Sequence, residues 1–277
     1  MVAKFEPKTD YKVVGTRPIR HDGYDKVTGR AVYGADMKLP GLIWAVCVRS
    51  PHAHAKIKSI DTSAAEASDG VFAVITGADM PKAPSKLVDL GEGNINFKWA
   101  SNKLMADDKV LYKGHPVAAV AATDRYAAEE AARKVVVEYE VLASVTNVVD
   151  ALAEDAPILL EDLVGDDLGK DVTNTNMAAH ARHEFGDVEG AMKTAAHTIE
   201  REHNMQMVHQ GYIEPHSATG WWTANNKITI WGSSQGHFPI RDRTSLVLGV
   251  PVSAIKVIPM EIGGGFGGKT TIYLEPV

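Results

Sequence analysis

The apolar positions of this chain come in short runs, each closed by turn residues, and few stretches are long enough for helices. Leu42–Arg49, apolar between Pro40-Gly41 and Ser50-Pro51, predicts a buried strand. Ile57–Ile60 alternates as a strand and Val71–Ile75 follows as another, with Asp61-Thr62-Ser63 between them placed to cap a short helix through Ala67. Residues 80–106 carry Pro81, Pro84 and several Gly and Asn without periodicity, which predicts a long surface excursion. From Val110 the chain turns through Gly114-His115-Pro116 into a strand ending at Ala122. Thr123 or Asp124 then caps a helix from Ala127 to Lys134, and Val135–Tyr139 returns as a strand, giving a βαβ-like or split α+β unit.

Before this lie an arm, 1–20, and the turn-rich stretch His21–Gly29. After it, 144–185 reads as a boundary, with acidic pairs at Glu154-Asp155 and Asp166-Asp167 and few aromatics. Asp187 suits the N-cap of a short helix through Ala195, and strands follow at His197–Gln206, Ala218–Thr223 and Lys227–Trp231. The last two are joined at Ala224-Asn225-Asn226, a hairpin signal. A helix from about Phe238 to Leu248 stops at Gly249, with Pro251 beyond. A strand alternating through Ile255, Val257 and Pro259 then runs into Ile262-Gly263-Gly264-Gly265-Phe266-Gly267-Gly268-Lys269. The expected organisation is an arm (1–20), one domain (21–145) and part of a second (146–277).

Composition narrows the function. The 277 residues, 45% hydrophobic and 23% charged, can bury a core, and a net charge of −6 without a basic cluster argues against a nucleic-acid partner. The single cysteine, Cys47, excludes an intrachain disulfide and a Cys-rich iron–sulfur or zinc site within this chain, and its apolar strand predicts a core role. The first residues hold neither an apolar run nor twin arginines, and no 18-residue apolar run follows later. A cytoplasmic protein without a membrane span is expected, although periplasmic export with a partner is compatible.

The glycine loop carries the candidate chemistry. Glycines cost backbone entropy on ordering, and they permit N–H groups to converge on an oxygen-rich or anionic ligand. A flexible linker or tight turn is the plain alternative, but Phe266 and Ile262 are foreign to a polar Gly/Ser linker. No phosphate loop of the Gly-x-x-x-x-Gly-Lys-Ser/Thr kind aligns. The formal Gly-x-Gly-x-x-Gly match at Gly263–Gly268 lacks the helix-to-acid layout that would give it meaning. His209, Glu214 and His216 have spacings of no familiar zinc site, and Glu214 is better suited to fixing backbone. His52 and His54 read as solvated or hydrogen-bonded turn residues.

Taken together, Gly263-Gly264-Gly265-Phe266-Gly267-Gly268-Lys269, His209-Gln-Gly-Tyr-Ile-Glu-Pro-His216, Ser233-Ser-Gln-Gly-His237 and the Gly114-His-Pro-Val-Ala-Ala-Val120 turn resemble the molybdenum-binding subunit of the xanthine dehydrogenase/aldehyde oxidase family of molybdenum hydroxylases. The resemblance runs from about Gly15 onward and stops with that subunit less than half complete. One departure is Val141, where the family has proline after Val-Glu-Tyr-Glu. The resemblance implies an α+β fold, an α/β hammerhead domain followed by the first part of the molybdopterin-binding domain. It implies that the Gln235 amide approaches the metal centre, donating to an oxygen ligand without adding a charge. Gly236, Gly264, Gly265, Phe266 and Gly267 would line the molybdopterin cofactor, in its cytosine dinucleotide form, with Phe266 beside the metal. Thr270 stands where purine-oxidising members carry a glutamate, which points to an aldehyde or N-heteroaromatic substrate. The general-base glutamate, the second molybdenum domain, the [2Fe–2S] clusters and any FAD would come from outside this chain, whether it is a naturally split subunit or a fragment. Leu274 would begin a helix. A catalytically silent assembly half and an unrelated nucleotide- or phosphate-binding protein are the alternatives.

Overall fold

The structure, a computed structural model, describes residues 11–89, 94–270 and 275; the expected helix start at Leu274 and the first half of the arm lie outside them. The described strands, in order, are β1 (Trp44–Arg49), β2 (Ala55–Asp61), β3 (Val71–Thr76), β4 (Leu87–Asp89), β5 (Asn94–Asn96), β6 (Lys109–Val110), β7 (Pro116–Ala122) and β8 (Val136–Val141). After the boundary come β9 (Gly165–Asp167), β10 (Lys170–Val172), β11 (Ala179–His180), β12 (Ala218–Trp222), β13 (Ile228–Gly232) and β14 (Ile255–Pro259). The helices are α1 (Gly23–Thr28), α2 (Ser63–Glu66), α3 (Phe97–Asn102), α4 (Arg125–Ala132), α5 (Val148–Ala151), α6 (Val188–Thr194) and α7 (His237–Leu248).

The first half is built on two antiparallel three-stranded sheets, ordered β1-β7-β3 and β6-β2-β8. Ala65, Val120 and Ala131 bury one cluster between α2, α4 and the first sheet, while Ala55, Ala106, Val110 and Val117 bury another against Ile57, Ile60 and Tyr139. Asp124, rather than Thr123, caps α4, its Oδ1 accepting from the N–H groups of Tyr126 and Ala127. Of the two arrangements expected, βαβ-like or split α+β, the βαβ-like one is excluded. Both edges of β7 are taken by β1 and β3, so the chain leaving α4 pairs β8 with β2 in the other sheet.

Other expectations also change. The strand at 42–49 begins at Trp44, which is exposed, because β1 lies at the edge of its sheet. Cys47 is half-buried, and burial pushes its thiol pKa up. His21–Gly29 holds α1, ended by Gly29 in the left-handed region. Of the two roles expected for His54, solvated or hydrogen-bonded, the second holds: it is buried, with its Nδ1 on the Ala143 carbonyl at 2.5 Å.

The 80–106 stretch is not a surface excursion: it folds into the β4–β5 hairpin and α3, and buries Phe97, Trp99, Leu104, Met105 and Ala106. Phe97 and Leu104 pack on Val247 of α7, tying the two halves of the chain together. The strand at His197–Gln206 is absent. Residues 191–211 are exposed throughout, with Ile199 78%, Met205 91% and Met207 95% accessible. Alternation alone makes no strand without a ladder partner, and none pairs here among the described residues.

His115 shows why the Gly-His-Pro turn holds its place. Fully buried, it accepts from Leu111 N–H at Nδ1 (3.1 Å) and donates from Nε2 to Asn102 O (2.8 Å), which sets one neutral tautomer. Burial, opposed by the Asn102 bond and aided by the charges of Lys103 and Arg49, pushes its pKa down from 6.5 to about 4. The unfolded chain therefore binds the proton first on acidification: this contribution is complete above pH 6.5 and is lost as pH falls toward 4. Its size is on the order of 3 kcal/mol. Urea midpoints measured between about pH 7 and 4.5 should fall more steeply for the parent than for His115→Gln; parallel curves would remove this role.

Candidate functional site

Sheet topology assembles the site. β12 runs antiparallel to β13, and β13 runs parallel to β14, with Gly232 opposite both Ala218 and Pro259. The segment entering β12 and the segments leaving β13 and β14 therefore meet at one edge, where ligand sites of parallel strands commonly lie. The expected hairpin is present, turned at Asn226 with φ 58°, and so is α7, closed by Gly249. The three stretches that carry the resemblance, 209–216, 233–237 and 263–270, come together there.

Gln235 leaves the end of β13 and holds the glycine loop by both ends of its residue. Its N–H donates to Lys269 O (2.9 Å), and its side-chain Oε1 accepts from Gly267 N–H (3.0 Å) and Lys269 N–H (3.2 Å). Two donors on one oxygen fix which way the amide points, so Nε2 faces away from them. Among the described residues Nε2 makes no hydrogen bond. The N–H groups of Gly264, Gly265 and Phe266 likewise find no partner among the described residues. Three successive unpaired amides and a neighbouring side-chain N–H₂ are a donor set of the kind that suits anions and oxygen ligands.

The glycines serve close packing first. A Cβ on Gly265 would stand 2.5 Å from Gln235 Oε1, and one on Gly263 would stand 2.6 Å from Glu214 Cβ. Phe266 adopts φ 50°, a left-handed conformation uncommon for a bulky side chain, and its ring is exposed. Such strain clusters at binding sites. Gly236 serves as N-cap of α7, its N–H donating to Ser234 Oγ (3.0 Å), and Thr270 donates from Oγ1 to Gly267 O (3.2 Å).

Behind the loop, Glu214 is surrounded by donors: Lys269 Nζ at 2.6 Å, Gly263 N–H at 2.7 Å and Ser233 Oγ at 2.7 Å. Burial raises its pKa, but the bonds from Lys269, Ser233 and Gly263, with the Lys269 charge, outweigh this and leave it below the ordinary carboxylate value. His209 and His216 flank Tyr212, whose hydroxyl lies 3.2 Å from His209 Nε2 and 2.7 Å from His216 Nε2. Burial, against the pull of Glu275, pushes His216 below the usual histidine range. These groups are committed to one another, and no cluster of three or more His, Cys, Asp or Glu poised for a metal ion occurs among the described residues. Sequence reasoning assigned nothing to Lys269, whose side chain is fully buried. The available signal was a single cation closing an otherwise uncharged loop, with Glu214 the acid carried by a neighbouring motif.

Comparison with known proteins agrees with this architecture. Residues 28–143 match the family described as aldehyde oxidase and xanthine dehydrogenase, a/b hammerhead domain, and residues 169–277 match the molybdopterin cofactor-binding domain. The carbon monoxide dehydrogenase large chain of Afipia carboxidovorans is 37% identical over 88% of this chain, and the nicotinate dehydrogenase large molybdopterin subunit of Eubacterium barkeri is 30% identical over 96%. This chain spans 30% of the first of these proteins and 58% of the second. Among solved structures, quinoline 2-oxidoreductase from Pseudomonas putida 86 superposes with a TM-score of 0.75 at 26% identity, covering 95% of this chain and 32% of that one. With both family matches in sequence over most of its length, the chain belongs to the xanthine dehydrogenase/aldehyde oxidase family of molybdenum hydroxylases, with the α+β fold of a hammerhead domain followed by a molybdopterin-binding domain.

Proposed function

We propose that this chain forms one wall of the cofactor site in a hydroxylase that oxidises an aldehyde or N-heteroaromatic substrate. Water is the oxygen source, and electrons leave through [2Fe–2S] clusters on a partner subunit, with FAD on a further one where the assembly has it. The observation that carries this reading is the Gln235 amide, whose oxygen is occupied by two loop N–H groups while its N–H₂ remains to donate. The molybdopterin cofactor, in the cytosine dinucleotide form, supplies the two-electron chemistry when bound. The residues present fit it, because an uncharged donor set at Gln235, Gly264, Gly265 and Phe266 suits an oxygen-rich anionic group, and the nearby carboxylate of Glu214 is already neutralised by Lys269.

In this reading Gln235 donates a hydrogen bond that neither adds charge nor titrates, and the loop amides hold the ligand in register. The protein-derived base comes from outside this chain, on the second molybdenum domain. Thr270 offers a neutral hydroxyl toward substrate, in keeping with relatives named for nicotinate and quinoline. Molybdenum and iron analysis of the natively purified assembly tests the proposal. Near-stoichiometric molybdenum, with iron, is expected; tight nucleotide binding in a molybdenum-free assembly would overturn it.

A further inference from the structure

The carboxylate of Glu214 touches both ends of the glycine loop. Oε2 accepts from Gly263 N–H at its start and from Lys269 Nζ at its close, and the Ser233 hydroxyl stands against Oε1. Lys269 then grips Gln235 through its backbone alone, the N–H reaching the side-chain oxygen and the carbonyl taking the Gln235 N–H. The Lys269 side chain is 0% accessible and that of Glu214 is 12% accessible, and Nζ lies 4.9 Å from the centre of the Tyr212 ring. A buried pair of this kind contributes little net stability, because desolvating two charges offsets their attraction. What it does provide is geometry, since a short charge-assisted bond tolerates little displacement of either partner.

We infer that Glu214 and Lys269 are positioning residues for Gln235, the buried pair holding the glycine loop at the one height where Gly267 and Lys269 N–H meet the Gln235 oxygen and turn its N–H₂ outward. The inference goes beyond the proposed function in naming which residues aim the amide, and only its kinetic consequence rests on that reading. Ser234 supports the same arrangement, its Oγ lying 3.2 Å from Lys269 O.

The test uses the full chain and needs no cofactor. Three variants are compared with the parent by NMR: Glu214→Gln, Lys269→Met, and the double variant Glu214→Leu/Lys269→Met, which leaves no charge buried and unpaired. The amides of Gly267 and Lys269 report the loop, the Gln235 side-chain N–H₂ resonances report the aim of the amide, and the Ile230 amide in β13 reports global stability. In the double variant the loop amides should exchange at least about tenfold faster and the Gln235 N–H₂ resonances should move, with Ile230 exchange within about twofold of the parent. Unchanged Gln235 resonances with parental loop protection would overturn the inference. So would loop and Ile230 exchange rising together, because the pair would then be a stability element only. In the assembled enzyme the same variant should lower kcat with KM little changed. If the NMR result holds and kcat does not move, Gln235 is aimed by this pair but the reading of its catalytic role fails.

Discussion

Purified by itself and supplied with cofactor, substrate and an artificial dye acceptor, the 277-residue chain should show no measurable turnover of aldehydes or N-heterocycles. Among the described residues, the wall it contributes holds donors and its nearest carboxylate is already engaged. Glu214, the carboxylate nearest the loop, is held ionised and fully occupied by Lys269, Gly263 and Ser233. A positioned base is worth about 10²–10⁴-fold in rate, and its absence alone brings activity toward background. The donors also stand at an open edge, with Phe266 73% accessible, so water competes for every bond they would make to a cofactor. Adding a polypeptide that carries the second molybdenum domain, with a [2Fe–2S] subunit, should restore turnover. A rate for the isolated chain close to that of the complete assembly would sink the proposal.

Within the assembly, Gln235→Ala should lower kcat by about 10²–10³-fold, the effect of removing one preorganised donor to developing charge. Truncation also frees Gly267 and Lys269 N–H, at a stability cost of about 1 kcal/mol because water can reach this exposed side chain. Gln235→Glu separates the two losses. A carboxylate still accepts from both loop amides, so the loop stays seated, but it has no N–H to donate and adds a charge. Steady-state kinetics on both variants, with molybdenum content measured in parallel, should show slow enzymes that retain the metal. Full turnover by Gln235→Glu would remove the donor role.

How legible these features were depended on how local their causes are. The β12–β13 hairpin and α7 are written in neighbouring residues, Asn226 at the turn and Gly249 at the stop, and both were found where expected. The edge on which 209–216, 233–237 and 263–270 converge follows from strand order, which the sequence does not spell out; the resemblance alone grouped them. β8 crosses to the sheet of β2 because β7 has no free edge, a fact about partners far away in the chain. Phe97 and Trp99 were hidden among Asn, Lys and Gly, and only their packing, Phe97 on Val247, explains the burial. Lys269 ran against expectation most of all, since a lysine is almost never fully buried unless paired.

The exposed stretch from His197 to Val208 is a potential site of self-association. Ile199, Met205 and Met207 fall on one face of a two-residue repeat, and the backbone beside them has unclaimed donors and acceptors among the described residues. Such a segment accepts whichever strand reaches it first. In an assembly of the kind proposed above, a partner strand would close that ladder; without one, the nearest alternative is the same stretch in a second copy, and that encounter grows with concentration. Concentration, more than how firmly the chain folds, should then limit how much of the isolated chain stays monomeric.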